Sequence, residues 1–417
     1  MYKSEVIVFG GGIIGVSIAV HLILRGISVV LVDRDEPGQG ASFGNAGLIQ
    51  TEAVLPKKFP QHITEILKYA TNSSNESYYR IKTLPSLAVP FAKFWYHSHA
   101  ERYHRISEHY AALIERSLPE HLFLAELTGA QHYLANNGWL QLHDNDSDFF
   151  NARNDAAHRA SRFRMTYSVL SSSEAMELEP ALQQKFGGVI HWTQPYSVSN
   201  PFGVLTHYLN YFKNAGGIYV HGNLSGLKKS SGGWSYTHET GVISSDRIVF
   251  ALGGGSNEAL RIMGKNVPLF VKRGYHMHYS SPGNLPLIHH AMLNATGGFV
   301  LAPMEKGIRL TTGAEFCRLG DNTNSIQLIR SEKMARKMLP ELGKSIDNTA
   351  WHGYRPCIAD MLPVIGPDTN DNSVYYAFGH CHQGFTMGPL TGRLIADLIT
   401  QRDSSFDLKP YSISRFG

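Results

Sequence analysis

The sequence feature that most constrains this fold is an apolar segment near the amino terminus that closely spaced glycines interrupt. Residues 7–15 read IVFGGGIIG. Residues 5–9 predict a buried strand, residues 13–25 predict a helix that is apolar around most of its circumference, and residues 27–32 predict a second strand. This order and length predict a βαβ unit with a right-handed parallel crossover, and therefore an α/β fold.

The three glycines between the first strand and the helix match the pattern GxGxxG. Gly10 allows a tight turn, Gly12 lets a pyrophosphate approach the backbone, and Gly15 lets the helix pack closely on the strand. Asp33 ends the second strand, about 20 residues further on, where its carboxylate can accept hydrogen bonds from adenosine ribose hydroxyls. An acid there disfavours NADP but fits FAD and NAD equally. The residues predicted to line the dinucleotide here are Gly10, Gly12, Ile13, Ile14, Gly15, Asp33 and Arg34.

A second glycine-rich loop follows this unit. Residues 37–49 read PGQGASFGNAGLI, which brings bare backbone to a ligand surface, and Ser42 can hydrogen-bond a phosphate or a ribityl group. The alternative, a mobile surface loop, is disfavoured because the sequence after it becomes apolar again. We therefore expect this loop to extend the dinucleotide site.

Two later segments are predicted to reach the same site. Residues 246–257, DRIVFALGGGSN, predict a buried strand that runs into another glycine turn. Near the carboxyl end, residues 374–378 predict a strand, followed by a glycine-bearing loop and a helix from about Met387. The amino terminus of that helix, pointing at the loop between Gly384 and Gly388, would stabilise the negative charge that a reduced flavin carries. These features favour FAD over NAD.

Composition excludes several classes of protein. With 417 residues, 43% of them apolar and 17% charged, the chain is predicted to be compact and to hold two domains. The net charge of +4 argues against a dedicated nucleic-acid binder. The apolar amino terminus does not fit a signal peptide, because Glu5 precedes it and glycines interrupt it, and no other stretch reaches roughly 18 uninterrupted apolar residues. We expect a cytoplasmic protein, with peripheral membrane contact or an additional subunit left open.

The cysteines predict neither a disulfide framework nor a CxxC metal site, because they are odd in number and widely spaced. They are Cys317, Cys357 and Cys381. His380 and His382 flank Cys381, and alternation along an extended segment would put both imidazoles on one side. No second cysteine pair or nearby carboxylate accompanies them, so we predict no metal site and expect flavin contact or packing instead.

Six motifs, in this order, carry a resemblance to a known family. They are GGGIIGVSIAVHL, GASFGNAGLI, VKRGY, IRLTTGAEF, WHGYRPCIADMLPVIG and AFGHCHQGFTMGPLTGRLIADLI. From residue 6 to about 399 the chain resembles the FAD-dependent D-amino acid oxidase superfamily, and most of all the bacterial D-amino acid dehydrogenase small-subunit group. One departure is Asn200, where relatives commonly carry an acid, and it leaves substrate size and preference open.

The resemblance implies a Rossmann-like FAD-binding domain of the glutathione-reductase type, with an inserted α+β substrate domain that contains an antiparallel sheet. It also implies a set of additional FAD contacts, with the isoalloxazine near Gly384 and Thr386 and an adenine contact through the backbone of Val220. The additional contacts are Ser42, Asn45, Ala46, Gly47, Leu48, Val220, Leu252, Gly253, Gly379, Gly384 and Thr386.

Oxidation of an amino acid by a flavin requires a group that holds the substrate carboxylate. An arginine is suited to this role, and Arg355 in the segment GYRP is the candidate that the family's RP arginine supports. Tyr275 in KRGYH is a second candidate, which could donate to the carboxylate or close the pocket, although core packing fits it nearly as well. The alternative to a substrate-binding role is, for Arg355, a surface arginine in an ordinary turn and, for Tyr275, packing in the core.

The predicted cofactor domain is discontinuous. It comprises residues 1–85, 195–265 and 345–417, and the substrate or cap domain comprises residues 86–194 and 266–344. Within these, residues 61–135 are predicted to be mainly helical and residues 266–316 to form an antiparallel sheet.

The leading functional prediction is an FAD enzyme that oxidises a D-amino acid and passes electrons to a quinone-type acceptor, which the subgroup resemblance implies. Oxidation of glycine, sarcosine or D-proline derivatives is a near alternative. An NAD-dependent dehydrogenase and a non-catalytic dinucleotide sensor are alternatives from other classes.

Overall fold

The structure is a computed structural model that describes residues 2–72, 74–230, 232–283 and 286–417 of the chain. The helices in this part of the chain are α1 (Ile13–Ile23), α2 (Ile63–Ala70), α3 (Leu84–His97), α4 (Ala100–Glu115), α5 (Ser117–Thr128), α6 (Asp146–Phe163), α7 (Ser172–Leu178), α8 (Pro201–Asn214), α9 (Ser256–Ile262), α10 (Ile326–Met338) and α11 (Gly384–Ile399). The strands are β1 (Tyr2–Phe9), β2 (Val29–Asp33), β3 (Leu48–Ile49), β4 (Ser77–Tyr79), β5 (Leu134–Ala135), β6 (Trp139–His143), β7 (Tyr167–Leu170), β8 (Gly188–Trp192), β9 (Tyr196–Val198), β10 (Ile218–His221), β11 (Leu227–Ser230), β12 (Gly233–His238), β13 (Gly241–Phe250), β14 (Leu269–Tyr279), β15 (Ala291–Asn294), β16 (Phe299–Met304), β17 (Gly307–Thr311), β18 (Ala314–Phe316), β19 (Trp351–Ile358), β20 (Val364–Pro367) and β21 (Val374–Phe378).

The first sheet is built around the predicted βαβ unit. Strand β1 pairs in parallel with β2 on one side and with β13 on the other. Strand β10 then pairs in parallel with β2, and β21 pairs in parallel with β13. Strands β11 and β12 extend it in antiparallel fashion beyond β13. Val6, Ile7 and Val8 are fully buried, as expected for a parallel strand with both faces covered. The predicted α/β fold is confirmed in this sheet.

The second sheet is predominantly antiparallel, as predicted for residues 266–316. Its strands follow the order β4-β18-β14-β17-β16-β15-β6-β8-β7, with β19 paired to β14. Parallel pairing occurs between β15 and β6 and between β18 and β4. Strand β19 thus belongs to this sheet, whereas β20 and β21, which follow it in the chain, belong to the first sheet. One continuous segment therefore joins the two sheets.

The strand pairing differs from the domain boundaries drawn on the sequence. Strands β4 and β19 lie within ranges predicted for the cofactor domain, but both pair in the second sheet. Helix α5 lies in a range predicted for the cap, but it packs on α11, where His121 Nε2 donates to the carbonyl of Phe385 at 2.8 Å. Ranges drawn on the sequence could not predict these assignments, because an element belongs to the sheet or helix layer that it packs with, whichever elements adjoin it in the chain.

Helices α1 and α11 run in parallel at very close distance. A Cβ added to Gly388 would lie 3.1 Å from Cγ1 of Ile13, and one added to Gly392 would lie 2.6 Å from the carbonyl carbon of Ser17. The helix begins at Gly384, after a 3₁₀ turn at Cys381–Gln383, so the prediction of a loop up to Met387 was wrong. The glycines there serve close helix packing rather than a turn, and both helix amino termini point to the same edge of the first sheet.

The helical prediction for residues 61–135 is confirmed by α2 to α5. Within the described ranges, no helix combines the length and the apolar character needed to cross a membrane.

Candidate active site

The GxGxxG turn has the tight geometry that its glycines predict. Gly10 adopts φ +115°, and a Cβ there would lie 2.3 Å from the carbonyl oxygen of Ala251. A Cβ on Gly15 would lie 1.8 Å from the carbonyl oxygen of Gly10. At Gly12, by contrast, the nearest atom to an added Cβ is Oγ of Ser42, at an ordinary 3.4 Å. The space in front of Gly12 is therefore open to a ligand, which fits a diphosphate that approaches the backbone.

Asp33 and Ser42 meet this turn from two directions. The Asp33 carboxylate accepts a hydrogen bond from the backbone N–H of Gly11, and burial raises the pKa of this carboxyl above its usual range. Oγ of Ser42 accepts from the backbone N–H of Ile13 at 2.9 Å, at the start of α1. The predicted diphosphate and ribose residues are thus brought together. The side chain of Arg34 is exposed and pairs with Asp35 at 3.2 Å.

The loop after Ser42 is fixed by an Asx turn. Oδ1 of Asn45 accepts from the N–H groups of Gly47 at 2.8 Å and Leu48 at 3.1 Å. Gly47 has φ +73°, and its Cβ would lie 2.5 Å from Cε of Met304. This geometry requires a residue without a side chain and sets the Asn45–Leu48 backbone, which includes Ala46, against the second sheet.

The remaining predicted FAD residues lie at the carboxyl ends of the parallel strands. Val220 lies on β10 opposite Val32, Leu252 and Gly253 follow β13, and Gly379 follows β21. Because the carboxyl ends of parallel strands share one edge of a sheet, these residues lie on the same side as the GxGxxG turn.

The predicted isoalloxazine side is held by contacts between the segment after β3 and the start of α11. The N–H of Gln50 donates to Oγ1 of Thr386 at 3.2 Å, and Nε2 of Gln383 donates to Oε1 of Gln50 at 2.9 Å. A Cβ on Gly384 would lie 4.0 Å from Cδ1 of Ile14. Gly384 and Thr386 therefore adjoin α1, as the predicted site requires. Gln50 and Gln383 were not predicted.

Arg355 lies on β19 as a partly buried guanidinium without an acidic partner. Nη1 donates to the carbonyl of Gly313 at 3.0 Å and Nη2 to that of Thr312 at 3.4 Å. Burial lowers the pKa of this group, and none of the ion pairs between described residues includes it. A positive charge held by carbonyl oxygens alone is suited to bind a carboxylate from outside the chain.

Tyr275 is placed on the other face of the sheet. In the antiparallel pair of β14 and β19, Arg355 lies opposite Lys272 and Tyr275 lies opposite His352, so the alternation of side chains separates Tyr275 from Arg355. The Tyr275 hydroxyl donates to Oε2 of Glu315 at 2.5 Å and accepts from the N–H of Asn324 at 2.9 Å. The structure does not bring the two predicted catalytic residues together.

Residues Cys381–Gln383, within the predicted loop after β21, form a 3₁₀ turn, so the alternation that an extended segment would give does not apply to His380 and His382. Nε2 of His380 lies 3.0 Å from Oγ1 of Thr391, and burial lowers the pKa of this imidazole to about 3. Cys381 turns away to meet Cys357, with the two Sγ atoms 2.9 Å apart. Among the described residues, no cluster of three or more His, Cys, Asp or Glu side chains is arranged to hold a metal ion.

Two further charged residues near the site were not predicted. Arg309 on β17 is buried, and its Nη1 donates to the carbonyls of Phe43 at 2.9 Å and Asn45 at 2.6 Å, which ties the second sheet to the cofactor loop. Burial lowers its pKa to about 10. Glu52 is 3% exposed, Oε1 accepts from Gln50 at 3.1 Å, and burial raises its pKa to about 7. Arg309 lies within the motif IRLTTGAEF, which was the signal available for it, whereas Glu52 lies outside the predicted strands and carried no such signal.

Asn200 caps α8, where its Oδ1 accepts from the N–H of Gly203 at 2.8 Å and its Nδ2 donates to Glu305 at 2.7 Å. The asparagine at position 200 thus serves as the amino-terminal cap of α8, where relatives commonly carry an acid.

Comparisons with known proteins agree with this geometry. The profile of the family described as FAD dependent oxidoreductase, DAO, matches residues 5–398. A D-amino-acid oxidase of Bradyrhizobium diazoefficiens is 27% identical and a D-amino acid dehydrogenase of Neisseria meningitidis serogroup C is 26% identical, each over 99% of both chains. Among solved structures, glycine oxidase from Geobacillus kaustophilus has a TM-score of 0.75 at 20% identity, covering 100% of this chain and 99% of that one. L-proline dehydrogenase from P. horikoshii has a TM-score of 0.73 at 19% identity, covering 100% and 98%.

At these identities the two solved structures show the fold of the chain. The profile match settles the choice between FAD and NAD that the GxGxxG turn left open. The chain belongs to the DAO family of FAD-dependent oxidoreductases.

Proposed function

We propose that this protein is a D-amino acid dehydrogenase, which oxidises the Cα–N bond of a D-amino acid and delivers the electrons to a quinone-type acceptor. The observation that carries the proposal is the Arg355 guanidinium, which has no acidic partner among the described residues. Arg355 lies two residues before Cys357, which contacts Cys381 in the turn that leads into α11. Relatives named D-amino-acid oxidase and D-amino acid dehydrogenase, matched over nearly the full chain, support the substrate class.

The substrate carboxylate is held by Arg355 in this proposal. The carbonyls of Gly313 and Thr312 fix the guanidinium from one side and leave its remaining N–H groups for a bidentate contact. Such a contact orients the neighbouring Cα, which is the main contribution that a protein makes to a hydride transfer. Tyr275 is not given a role in substrate binding, because its hydroxyl is engaged by Glu315.

The residues at the GxGxxG turn and at the start of α11 hold the cofactor. Gly12, Ser42 and Asp33 would contact the diphosphate and ribose, and Thr386 the ring system. Bound FAD supplies the acceptor for the hydride that leaves Cα. The resulting imine then takes up water and releases ammonium, which gives the 2-keto acid.

The acceptor proposal has some support on the surface. Ile63 and Leu67 in α2 and Val89 in α3 are 67%, 59% and 65% exposed. Lys82, just before α3, and Lys93, within it, are exposed as well. Exposed apolar side chains and lysines in neighbouring segments of the chain fit contact with an anionic bilayer, where a quinone would be found. This surface would place the protein on the membrane that holds the proposed quinone acceptor.

The test is turnover of the FAD-bound enzyme across matched D- and L-amino acids, glycine, sarcosine and D-proline, with a soluble quinone under anaerobic conditions. We expect D-amino acids to be preferred over their L-enantiomers and the quinone to outperform dioxygen. Preference for an L-amino acid or for glycine would refute the proposed substrate class, and equal rates with dioxygen alone would refute the acceptor. Sedimentation with anionic vesicles, compared with Ile63→Ser, tests the membrane contact.

A further inference from the structure

Two of the three cysteines come together at the edge of the candidate site. Cys357 lies on β19, two residues after Arg355, and Cys381 lies in the 3₁₀ turn that leads into α11. Their Sγ atoms are 2.9 Å apart, although 24 residues separate them in the chain. Cys317 lies elsewhere, beside the buried ion pair of Arg273 and Glu315. The pairing is therefore specific to two of the three thiols.

The backbone holds this pair in place. An isolated antiparallel bridge joins Cys357 to His380, the residue before Cys381. Cys381 itself has φ +53°, a left-handed conformation that costs an L-residue with a side chain roughly 1–2 kcal/mol. Such a conformation persists only where surrounding structure enforces it. The juxtaposition of the two thiols is thus a fixed feature of the turn rather than a chance contact of mobile side chains.

The two sulfurs differ in chemical character. The two sulfurs share a hydrogen bond in which either can be the donor. With Cys357 as the donor, this bond holds the pKa of Cys381 well below its usual range, and Lys272 and His382 lower it further. Burial raises the pKa of Cys357 well above its usual range and that of Cys317 to about 11. Since the thiolate is the nucleophile, Cys381 is the reactive member of the pair and Cys357 the neighbouring thiol.

The pair lines a small cavity. Cys357, Cys381, Lys272, His382 and Tyr110 all contribute to its wall, and its volume of about 20 Å³ has room for about one water-sized molecule. The cationic Lys272 and the imidazole of His382 face the sulfurs across this space.

We propose that Cys381 and Cys357 form a peroxide-reactive dithiol site in the wall of this cavity. The Cys381 thiolate attacks hydrogen peroxide, which cleaves the O–O bond, forms a sulfenic acid and releases water after one proton is taken up. The Cys357 thiol then attacks that sulfur, forms the disulfide and releases a second water. The two electrons that reduce the peroxide come from the two sulfurs. The step needs no amino acid oxidation and is independent of the proposed function.

The disulfide would join β19, which carries Arg355, to the turn that leads to Thr386. It would also protect Cys381, because a sulfenic acid that is captured by a neighbouring thiol does not proceed to the irreversible sulfinic acid.

The test is peroxide treatment of the FAD-bound, pre-reduced enzyme, followed by alkylation under denaturing conditions and mass spectrometry. We expect the intact mass before alkylation to fall by about 2 Da, two of the three thiols to escape alkylation, a Cys357–Cys381 crosslinked peptide to appear, and dithiothreitol to reverse all three changes. Cys317→Ser is the matched control and should lose its two remaining thiols at the rate of the wild type.

Two variants separate the roles of the sulfurs. In Cys357→Ser, Cys381 should gain oxygen, in steps of about 16 Da, instead of forming a crosslink. In Cys381→Gly, where glycine accepts the left-handed backbone, Cys357 should react at least about tenfold more slowly than Cys381 does in the wild type. The proposal is overturned if Cys317 is oxidised as fast as Cys381, or if all three wild-type thiols survive peroxide that consumes free cysteine. The wild-type result decides the question even if a variant fails to fold.

Discussion

Replacement of Arg355 by leucine gives the most direct test of the proposed substrate anchor. The substitution removes the charge and keeps most of the apolar volume of the side chain. The carbonyl oxygens of Gly313 and Thr312 are the hydrogen-bond partners of this guanidinium, and none of the acidic residues that the structure describes forms an ion pair with it. The lost interaction should therefore fall on the substrate carboxylate rather than on an internal ion pair.

The expected magnitude follows from the cost of leaving one partner of a close charge pair without the other. This cost is about 2–5 kcal/mol in partly buried sites. At about 1.4 kcal/mol per tenfold change, kcat/KM should fall between about 30-fold and about 4,000-fold. The loss should appear largely in KM for a carboxylate that is bound equally in the ground state and the transition state.

The assay is anaerobic turnover of a D-amino acid with an artificial electron acceptor, on protein whose FAD content is first measured from its absorbance near roughly 450 nm. Arg318→Leu is the matched control, since Arg318 is exposed and pairs only at 3.6 Å with Asp321 among the described residues. The control should change kcat/KM less than about twofold. The corresponding D-amino acid amide, which lacks the carboxylate, should be a poor substrate for wild type and variant alike.

Two results would refute the reasoning. One is an Arg355→Leu enzyme that is yellow and keeps kcat/KM within about threefold of the wild type. The other is an equal loss for the acid and its amide, which would show that Arg355 acts through the structure of the site rather than through the carboxylate.

Three further substitutions test other parts of the structure. Burial raises the pKa of Glu52 from 4.5 to about 7, so its contribution to stability is complete below pH 4.5 and is lost as the pH rises through 7. Glu52→Gln should therefore raise the thermal midpoint more at pH 8 than at pH 5, by the equivalent of about 2.5 kcal/mol. Glu65→Gln, on the exposed face of α2, is the control and should give similar changes at both pH values. An equal effect of Glu52→Gln at both pH values would contradict this. Gly15→Ala should yield protein without FAD, because its Cβ would lie 1.8 Å from a carbonyl oxygen. Gly40→Ala is the control and should retain FAD, because an added Cβ there meets no atom within 4 Å. A yellow Gly15→Ala enzyme would disprove the packing argument. Tyr275→Phe should lower stability by about 1–3 kcal/mol through its partners and leave kcat/KM within about threefold; a large loss of kcat would instead support a catalytic role for Tyr275.

The parts of the fold that depend on local sequence were predicted well. The strand at residues 374–378 has the predicted bounds. The βαβ unit could be predicted because one short segment holds three glycines and a change in the spacing of its apolar residues from strand to helix. The start of α11 was placed too late because glycine is usually a loop signal, and only the packing of α1 against Gly388 shows why the helix tolerates it.

The parts of the site that depend on pairing between distant segments could not be predicted. The opposite orientation of Tyr275 and Arg355 follows from the register of β14 with β19, which no spacing within either strand reveals. The contacts of Glu52 with Gln50 and of Cys357 with Cys381 likewise require the folded backbone. The residues that bind FAD remain predictions in detail, although the structure gathers them at one edge of the first sheet.

The continuous path from β19 into β20 and β21 limits how this enzyme can change its substrate during evolution. A displacement of β19, which carries the proposed carboxylate anchor Arg355, would also disturb β20 and β21 in the first sheet, since all three strands are stretches of the same backbone. Substitutions should therefore be tolerated more readily in β15, whose neighbours in the chain and in the sheet all belong to the second sheet, than in β19. The position of Arg355 is thus tied to both sheets, whereas β15 is tied to one.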